Sequence, residues 1–398
     1  MWKSLKLEDV CQIGDGNHSS NYPKASEMVE QGVPFIRAGN IQGGTVSSED
    51  LKFITPEKHL ILKKGHLKEG DVLITNRGEI GKTAVVPKIF EGANLNSQIA
   101  WLRPDDRLLS QFLFYALSAP EAKASFKSQQ SGTALQQLTI RQIKNLHVSY
   151  PPLAEQQRIV AKLDAAFAEI DGAIEAANAK VKEVNCLFKK ELENTFSNGE
   201  FESVNLEKLA KVTSSRRVLK SHYVESGIPF YRTKEIKELA NGNPIRTELF
   251  ISQEQFSGFK NKFGAPQAGD VLITAIGTIG EVYVVQQGDE FYFKDGNILW
   301  LRNTSGLNSD YLRYSLINFV DELNSLAHGA AYSALPIQRL KSHKIPIKTL
   351  SEQTSSVVKL DALGKLTQDI DKLNSNKILA LGVLKSAILA QELRSEAA

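Results

Sequence analysis

Cysteine is nearly missing from this chain of 398 residues: Cys11 and Cys186 stand far apart, with no further Cys or His at metal-ligand spacing. That pattern excludes a disulfide framework and a zinc cluster and leaves both thiols to be read as buried core residues. Long apolar runs are missing too. No stretch approaches the roughly 20 residues needed to cross a bilayer, and the opening MWKSLKLEDV lacks the apolar core of a secretion signal, so the expected location is the cytoplasm. Net charge is small: 48 basic against 45 acidic side chains leave +3, so any nucleic-acid surface must be a local patch offset by acidic faces elsewhere. The seven histidines show no metal or triad spacing. What is present, 42% apolar and 23% charged residues over a length too great for one ordinary core, describes a folded protein of two or more domains.

The stretch NRGEIGKTAVV, Asn76 to Val86, ends like a phosphate-cradling loop at Gly81, Lys82 and Thr83. Such a loop requires another glycine five residues before its Gly-Lys pair, so that backbone N–H groups can wrap the β-phosphate. That position holds Asn76. The related stretch AIGTIGEVYVV, Ala275 to Val285, puts Glu281 where Lys82 stands, and a carboxylate there repels a nucleotide. Both stretches therefore read as glycine turns between two strands.

The pair belongs to a duplication of nearly the whole chain. A displacement of 199 residues carries Leu7 and Glu8 onto Leu206 and Glu207, GDVLIT (from Gly70) onto its repeat from Gly269, and Trp101, Leu102 and Arg103 onto Trp300, Leu301 and Arg302. The same displacement matches FLFYALS to YLRYSLI, at Leu113/Leu312, Tyr115/Tyr314 and Leu117/Leu316. A displacement of 195 aligns GVPFIRAGNI (Gly32) with GIPFYRTKEI (Gly227), and one of 197 aligns Gly132 with Gly329, Leu138 with Leu335, and LAEQ (Leu153) with LSEQ (Leu350). Each copy opens with about 150 residues of short strands (DVLIT, TAVVP, IAWLRP) and helices near residues 110–130 and 309–327, a compact α+β domain. Each closes on a long helix. In the first, Val160, Leu163, Phe167, Ile170, Ile174, Ala177, Val181, Val184 and Phe188 recur at steps of 3 and 4, a heptad seam bounded by Pro151-Pro152 and Asn198-Gly199. The second is looser: Leu363, Leu366, Ile370 and Leu373, then Lys377 interrupting before Ile378, Leu381, Leu384 and Ile388. Helices of about 40 residues are roughly 60 Å long, and such a seam needs a partner helix. Homodimerisation would satisfy it, but two like helices in one chain favour antiparallel pairing within the chain, with a domain at each end of a rod.

The order of domain, YPPLAEQQRIVAKLDAAFAEID, domain, LSEQTSSVVKLDALGKL, together with GDVLITNRGEIGK and SGTALQQLTIRQIKNLHVSYPPLAEQ, closely resembles the specificity subunit of type I restriction-modification systems over essentially the full chain. The resemblance implies target recognition domains at 1–152 and 199–349, each reading one half of a split DNA sequence. It implies spacer helices at 153–198 and 350–398 that set the gap and dock two modification (methyltransferase) subunits, with restriction (ATP-dependent motor and nuclease) subunits completing the complex. The fold class is then α+β, two pseudo-symmetric recognition domains joined by two long antiparallel coiled-coil helices. S-adenosylmethionine, ATP and Mg2+ are expected on the other subunits and no cofactor on this chain. The second copy departs from the usual pattern at KIPIKTLSEQ, which lacks the Pro-Pro pair before Leu350.

Base edges are read by bidentate donors and phosphates are held by Lys, Arg, Ser, Thr and backbone N–H groups. In the first copy the candidates are Lys63 and Lys64, Asn76, Arg77 and Lys82 around the glycine turn, Asn96 and Gln98, and Ser131 and Thr133. In the second they are Arg216, Arg217, Lys220, Lys260 and Lys262. Taken singly each is most simply a solvated surface residue; clustered on the loops of a DNA reader they gain meaning. Trp101 and Trp300, flanked by apolar strand residues, read as core. Glu155 and Gln156, with Glu352 and Gln353, mark two related helix openings where partner subunits could dock. No Asn/Asp-Pro-Pro-Tyr/Phe motif of an adenine methyltransferase, nuclease carboxylate cluster or ATPase motif accompanies them; SYPPL (Ser149) marks a helix entrance. The chain is expected to target rather than catalyse. The rival readings are a self-contained enzyme with a cryptic site and a duplicated protein-binding scaffold.

Overall fold

The computed structural model describes residues 1–16, 21–129, 137–197, 201–303, 306–326 and 334–394, which belong to two compact units: Met1–Ala177 with Ser375–Ala398, and Asn178–Asn374. In the first unit the strand Ile99–Pro104 pairs antiparallel with Cys11–Asp15 on one side and Val72–Thr75 on the other, and the sheet continues through Thr83–Val85, Thr45–Val46 and Ile41–Gln42. The central strand Val72–Thr75, VLIT, is buried at every position and so on both faces. Val72, Ile74, Ala100 and Leu102 pack toward the helix Ser110–Ser118, while Leu73 and Ile99 join Ile36, Val86 and Leu95 on the other face. A smaller sheet, Lys52–Ile54, Val33–Ile36 and Asn94–Leu95, covers that second face.

The second unit repeats the first four strands of the larger sheet in the same register and, among the described residues, lacks the last two. Trp101 faces Leu73 across the first sheet and Trp300 faces Leu272 across the second, whose strand order is Ala210–Thr213, Ile298–Asn303, Val271–Thr274, Val282–Val284. Trp300 is buried and Trp101 half-buried, as core residues of their sheets. One expected helix divides: Ala119 is extended (ψ 149°) and Pro120 opens a second helix, Pro120–Gln129. Proline disfavours helical backbone in the residue before it and cannot donate to the preceding turn. The second copy has no proline there and runs unbroken over Ser309–Leu326. Cys11 is buried, and burial pushes its thiol up to about 12, but Cys186 is exposed on a helix, against the expectation of a core thiol.

The long helices span Leu153–Ser197 and Leu350–Glu392. Within the first unit Lys162 pairs with Glu392 at 2.6 Å and Asp171 with Lys385 at 2.5 Å. Within the second, Glu191 pairs with Lys359 at 2.7 Å and Asn374 donates to Asn178 at 3.2 Å. In each unit the partner number falls as the residue number rises, so the pairing is antiparallel. The first seam is as expected, with Leu163 and Ile170 buried and Val181, Val184 and Phe188 half-buried. The second holds in part: Leu363, Ile370, Ile378, Leu381 and Ile388 are half-buried as expected, but Leu366, Leu373 and Leu384 point to solvent, Leu373 with 70% of its surface exposed, and half-buried Thr367, Asn374 and Lys385 stand on the covered face instead. This helix has apolar residues on two faces, and sequence spacing alone does not say which one the partner covers.

Candidate nucleic-acid interface

The glycine turn is a strand connection closed on itself. Thr75 Oγ1 donates to the Glu79 carbonyl and accepts the Lys82 N–H at 2.9 Å, while the Gly81 N–H donates to the Thr75 carbonyl at 2.9 Å. Gly78 and Gly81 adopt φ of 74° and 89°, which only glycine takes without strain. Thr274, Gly277, Gly280 and Glu281 build the same turn in the second unit. The Gly81 and Lys82 amides that a phosphate would need already have partners, so the turn is not a nucleotide cradle. It presents side chains instead. Arg77 is exposed and its backbone bridges to Gln137; Ile276 takes the same place opposite Ala334. Lys82 reaches Glu79 at 2.7 Å.

Beside the turn lies an open groove of about 820 Å³ in which Lys82 is joined by Lys123 and Lys127 of the helix Pro120–Gln129. The latter two were missed in the sequence; lysines at i and i+4 on one helical face were the available signal. Lys63 and Lys64 are exposed on a separate loop, Lys64 lying 3.8 Å from Asp15. Two candidates are withdrawn from the surface. Asn76 is buried, and its backbone ties Gln98 to Leu138 through bonds of 2.9 Å. Asn96 is also buried, its amide folded onto Gln98 at 3.2 and 3.1 Å. Both act by shaping loops, and Gln98 is the exposed member of the group. Ser131 and Thr133 lie outside the described residues.

In the second unit, Arg216 stacks over the Phe263 ring at 4.3 Å, bringing its loop to the end of the helix Gln253–Phe263 that carries Lys260 and Lys262. Arg302, also missed in the sequence, donates to the Phe263 carbonyl at the same helix end. Cations at a helix C-terminus meet its unpaired carbonyls, so this cluster is favoured locally as well as positive. Lys260 has Glu290 3.8 Å away. Lys220 sits in a short turn whose His222 meets Gln255 at 2.8 Å, which draws it toward the start of that helix. Arg217 is exposed. The second-copy candidates thus converge around one helix, whereas those of the first are split between the glycine turn and two other loops.

The four residues at the helix openings divide by burial. Gln156 is fully buried: it accepts the Leu109 N–H at 2.9 Å and donates to the Arg107 and Pro151 carbonyls at 2.9 and 2.8 Å. Gln353 repeats this with Asn308 at 2.9 Å and Lys348 at 2.8 Å. With their polar atoms engaged inside the fold, neither offers a docking contact, which corrects the expectation for both. Glu155 stays at the surface with Arg158, 2.7 Å away. Glu352 closes a capping box with Thr349, and those hydrogen bonds hold its carboxyl below the usual range. Thr349 thereby starts the second long helix where the first has Pro152.

This architecture, a duplicated α+β reader with paired helices, matches one family. The model for the type I restriction modification DNA specificity domain matches residues 1–183 and again 198–380, and the chain belongs to that family. Among relatives, the EcoKI specificity subunit of Escherichia coli K12 is 23% identical, covering 92% of this chain and 82% of its own. The StySPI specificity subunit of Salmonella potsdam is 21% identical, covering 99% and 89%. A chain from a solved structure of a type I restriction-modification system, concerned with complex assembly and conformational transition, matches with a TM-score of 0.76 at 20% identity, covering 99% and 98%. The HsdS subunit of Thermoanaerobacter tengcongensis matches with a TM-score of 0.54 at 20% identity, covering 99% and 97%. DNA sequence recognition within a type I restriction-modification system is therefore the function of this chain. Among the described residues no helix is long and apolar enough to cross a membrane.

Proposed function

We propose that the two recognition domains read the two different halves of an asymmetric, interrupted DNA site, and that the paired helices set the gap between them and dock two modification subunits. The observation that carries this is a shared framework with unlike surfaces: the glycine turns superpose bond for bond, yet one bears Arg77 and Lys82 and the other Ile276 and Glu281. A common framework with different contact residues suits two different half-sites. Docking is supported by the outward apolar side chains of the second long helix, Val358, Leu366 and Leu373 in one unit and Leu379, Val383 and Leu384 in the other. Exposed apolar residues at this density favour a partner helix.

In this reading the chain is non-catalytic and cytoplasmic. It directs adenine methylation and restriction by subunits that bring S-adenosylmethionine, ATP and Mg2+. Native mass of the co-expressed complex should show two modification subunits per chain, and a stable 1:1 complex with partner in excess would contradict double docking. A duplicated protein-binding scaffold is the alternative. Binding through phosphates weakens steeply with salt, so DNA affinity insensitive to salt would favour the scaffold.

A further inference from the structure

Arg37 and Arg232 hold the same place in the two units. Each follows a strand that pairs parallel with another, Val33–Ile36 with Asn94–Leu95 and Ile228–Tyr231 with Tyr292–Phe293. Each has its backbone N–H capped by the side chain three residues on, Asn40 at 3.0 Å and Glu235 at 2.8 Å. The caps differ in charge. Glu235, itself buried, grips the Arg232 guanidinium at 2.6 Å, and Glu248 holds it from another side at 2.6 Å. Arg37 has only the neutral Asn40 and forms no ion pair among the described residues. Its Nη2 donates to the Asp50 carbonyl at 2.7 Å, and its Nε–H is buried without an acceptor.

Arg37 lines a cleft of about 660 Å³ with Gln42, Glu49, Asp50 and Gln98. The two carboxylates argue against a phosphate occupant. A cation, carboxylates and carboxamides in one cleft set donors beside acceptors, which is the pattern presented by base edges and not by phosphodiesters. We propose that this cleft is a direct-readout site for the first half-site, with Arg37 donating to the O6 and N7 acceptors of a guanine and the exposed Gln98 contacting an adjacent base. The proposal rests on the half-site reading above. The second unit cannot read its half-site this way, because its carboxylates already neutralise Arg232.

The test is methylation of a randomised DNA library by the complex reconstituted with its modification subunits. The parent complex runs alongside: if it methylates no interrupted site, the half-site reading itself fails, apart from this proposal. With the parent site in hand, Arg37→Ala should relax one guanine position in one half-site by roughly 10- to 100-fold and leave the other half unchanged. An unchanged preference overturns the proposal. So does uniform weakening with a shallower salt dependence, which would make Arg37 a phosphate contact. Should Arg37→Ala fail to fold, Gln98→Glu keeps the side-chain oxygen that accepts the Asn96 amide and removes only the exposed donor, and should change the preference at a position of the same half-site; unaltered preference there is equally fatal. Arg232→Lys keeps a cation between Glu235 and Glu248 and should leave both half-sites intact, and a changed second half-site would overturn the contrast between the units.

Discussion

Tyr314 donates its phenolic hydrogen to Asp361 at 2.6 Å, tying the helix Ser309–Leu326 to the second long helix, and Tyr115 makes the same bond to Asp164 at 2.5 Å in the other unit. Burial first, and the carboxylate acceptor second, push Tyr314 up to about 12 and raise Tyr115 as well. Phenylalanine keeps the ring and deletes the bond. Tyr314→Phe and Tyr115→Phe should each lower stability by about 1–2 kcal/mol, since the acceptor is charged but water can reach it once freed. Urea unfolding measures this, and unmoved midpoints in both variants would assign the helix docking to apolar contacts alone.

Gln156 and Gln353 bind their own domains, so their substitution should damage stability and not partner recognition. Gln156→Ala strands a buried N–H at Leu109 and two carbonyls, a loss of about 2–4 kcal/mol. The folded fraction should bind the modification subunit with parental affinity in titration calorimetry. Weakened binding by stably folded protein would restore the glutamines to the docking surface.

His343 gives the second unit a pH dependence. Burial pushes its pKa down to about 4, and the ring meets Ser315 Oγ at 2.9 Å. The unfolded imidazole titrates near 6.5, so between about pH 6.5 and 4 the unfolded state binds a proton that the folded state excludes. Stability is therefore full above that window and falls as pH drops through it, by at most about 3 kcal/mol. Chemical unfolding at pH 7.5 and 4.5 should show the decline, and His343→Gln should flatten it. An equal decline in the variant would locate the titration elsewhere.

Arg77 stands exposed where the second unit has Ile276. If it reads a base, Arg77→Ala should cost about 1–3 kcal/mol and relax preference in one half-site only. A phosphate role would weaken all sequences evenly, and parental methylation by the variant would exclude both.

Much of this was legible in the sequence because it depends on local pattern. The duplication, the strand Ile99–Pro104 and the opening of the first long helix at Leu153 all follow from periodicity and proline placement. What the sequence hid depends on tertiary context. Leu366 and Leu373 repeat at heptad spacing yet face outward, because a helix with two apolar stripes leaves the choice to its partner. Gln156 looks like a surface residue in LAEQ until the chain near Leu109 folds over it. The contrast at Arg37 was half legible: the aligned stretches set Asn40 against Glu235, but Glu248, which completes the clamp, is remote from Arg232 in sequence. That last relation has no spacing rule.

The most direct test of the account is a map of methylated adenines in DNA from cells carrying this chain with its modification partner. The account predicts two unlike half-sequences separated by a fixed number of unspecified base pairs, with the methylated adenines inside the half-sequences. Methylation of a single uninterrupted or palindromic sequence, or of adenines regardless of sequence, would contradict it.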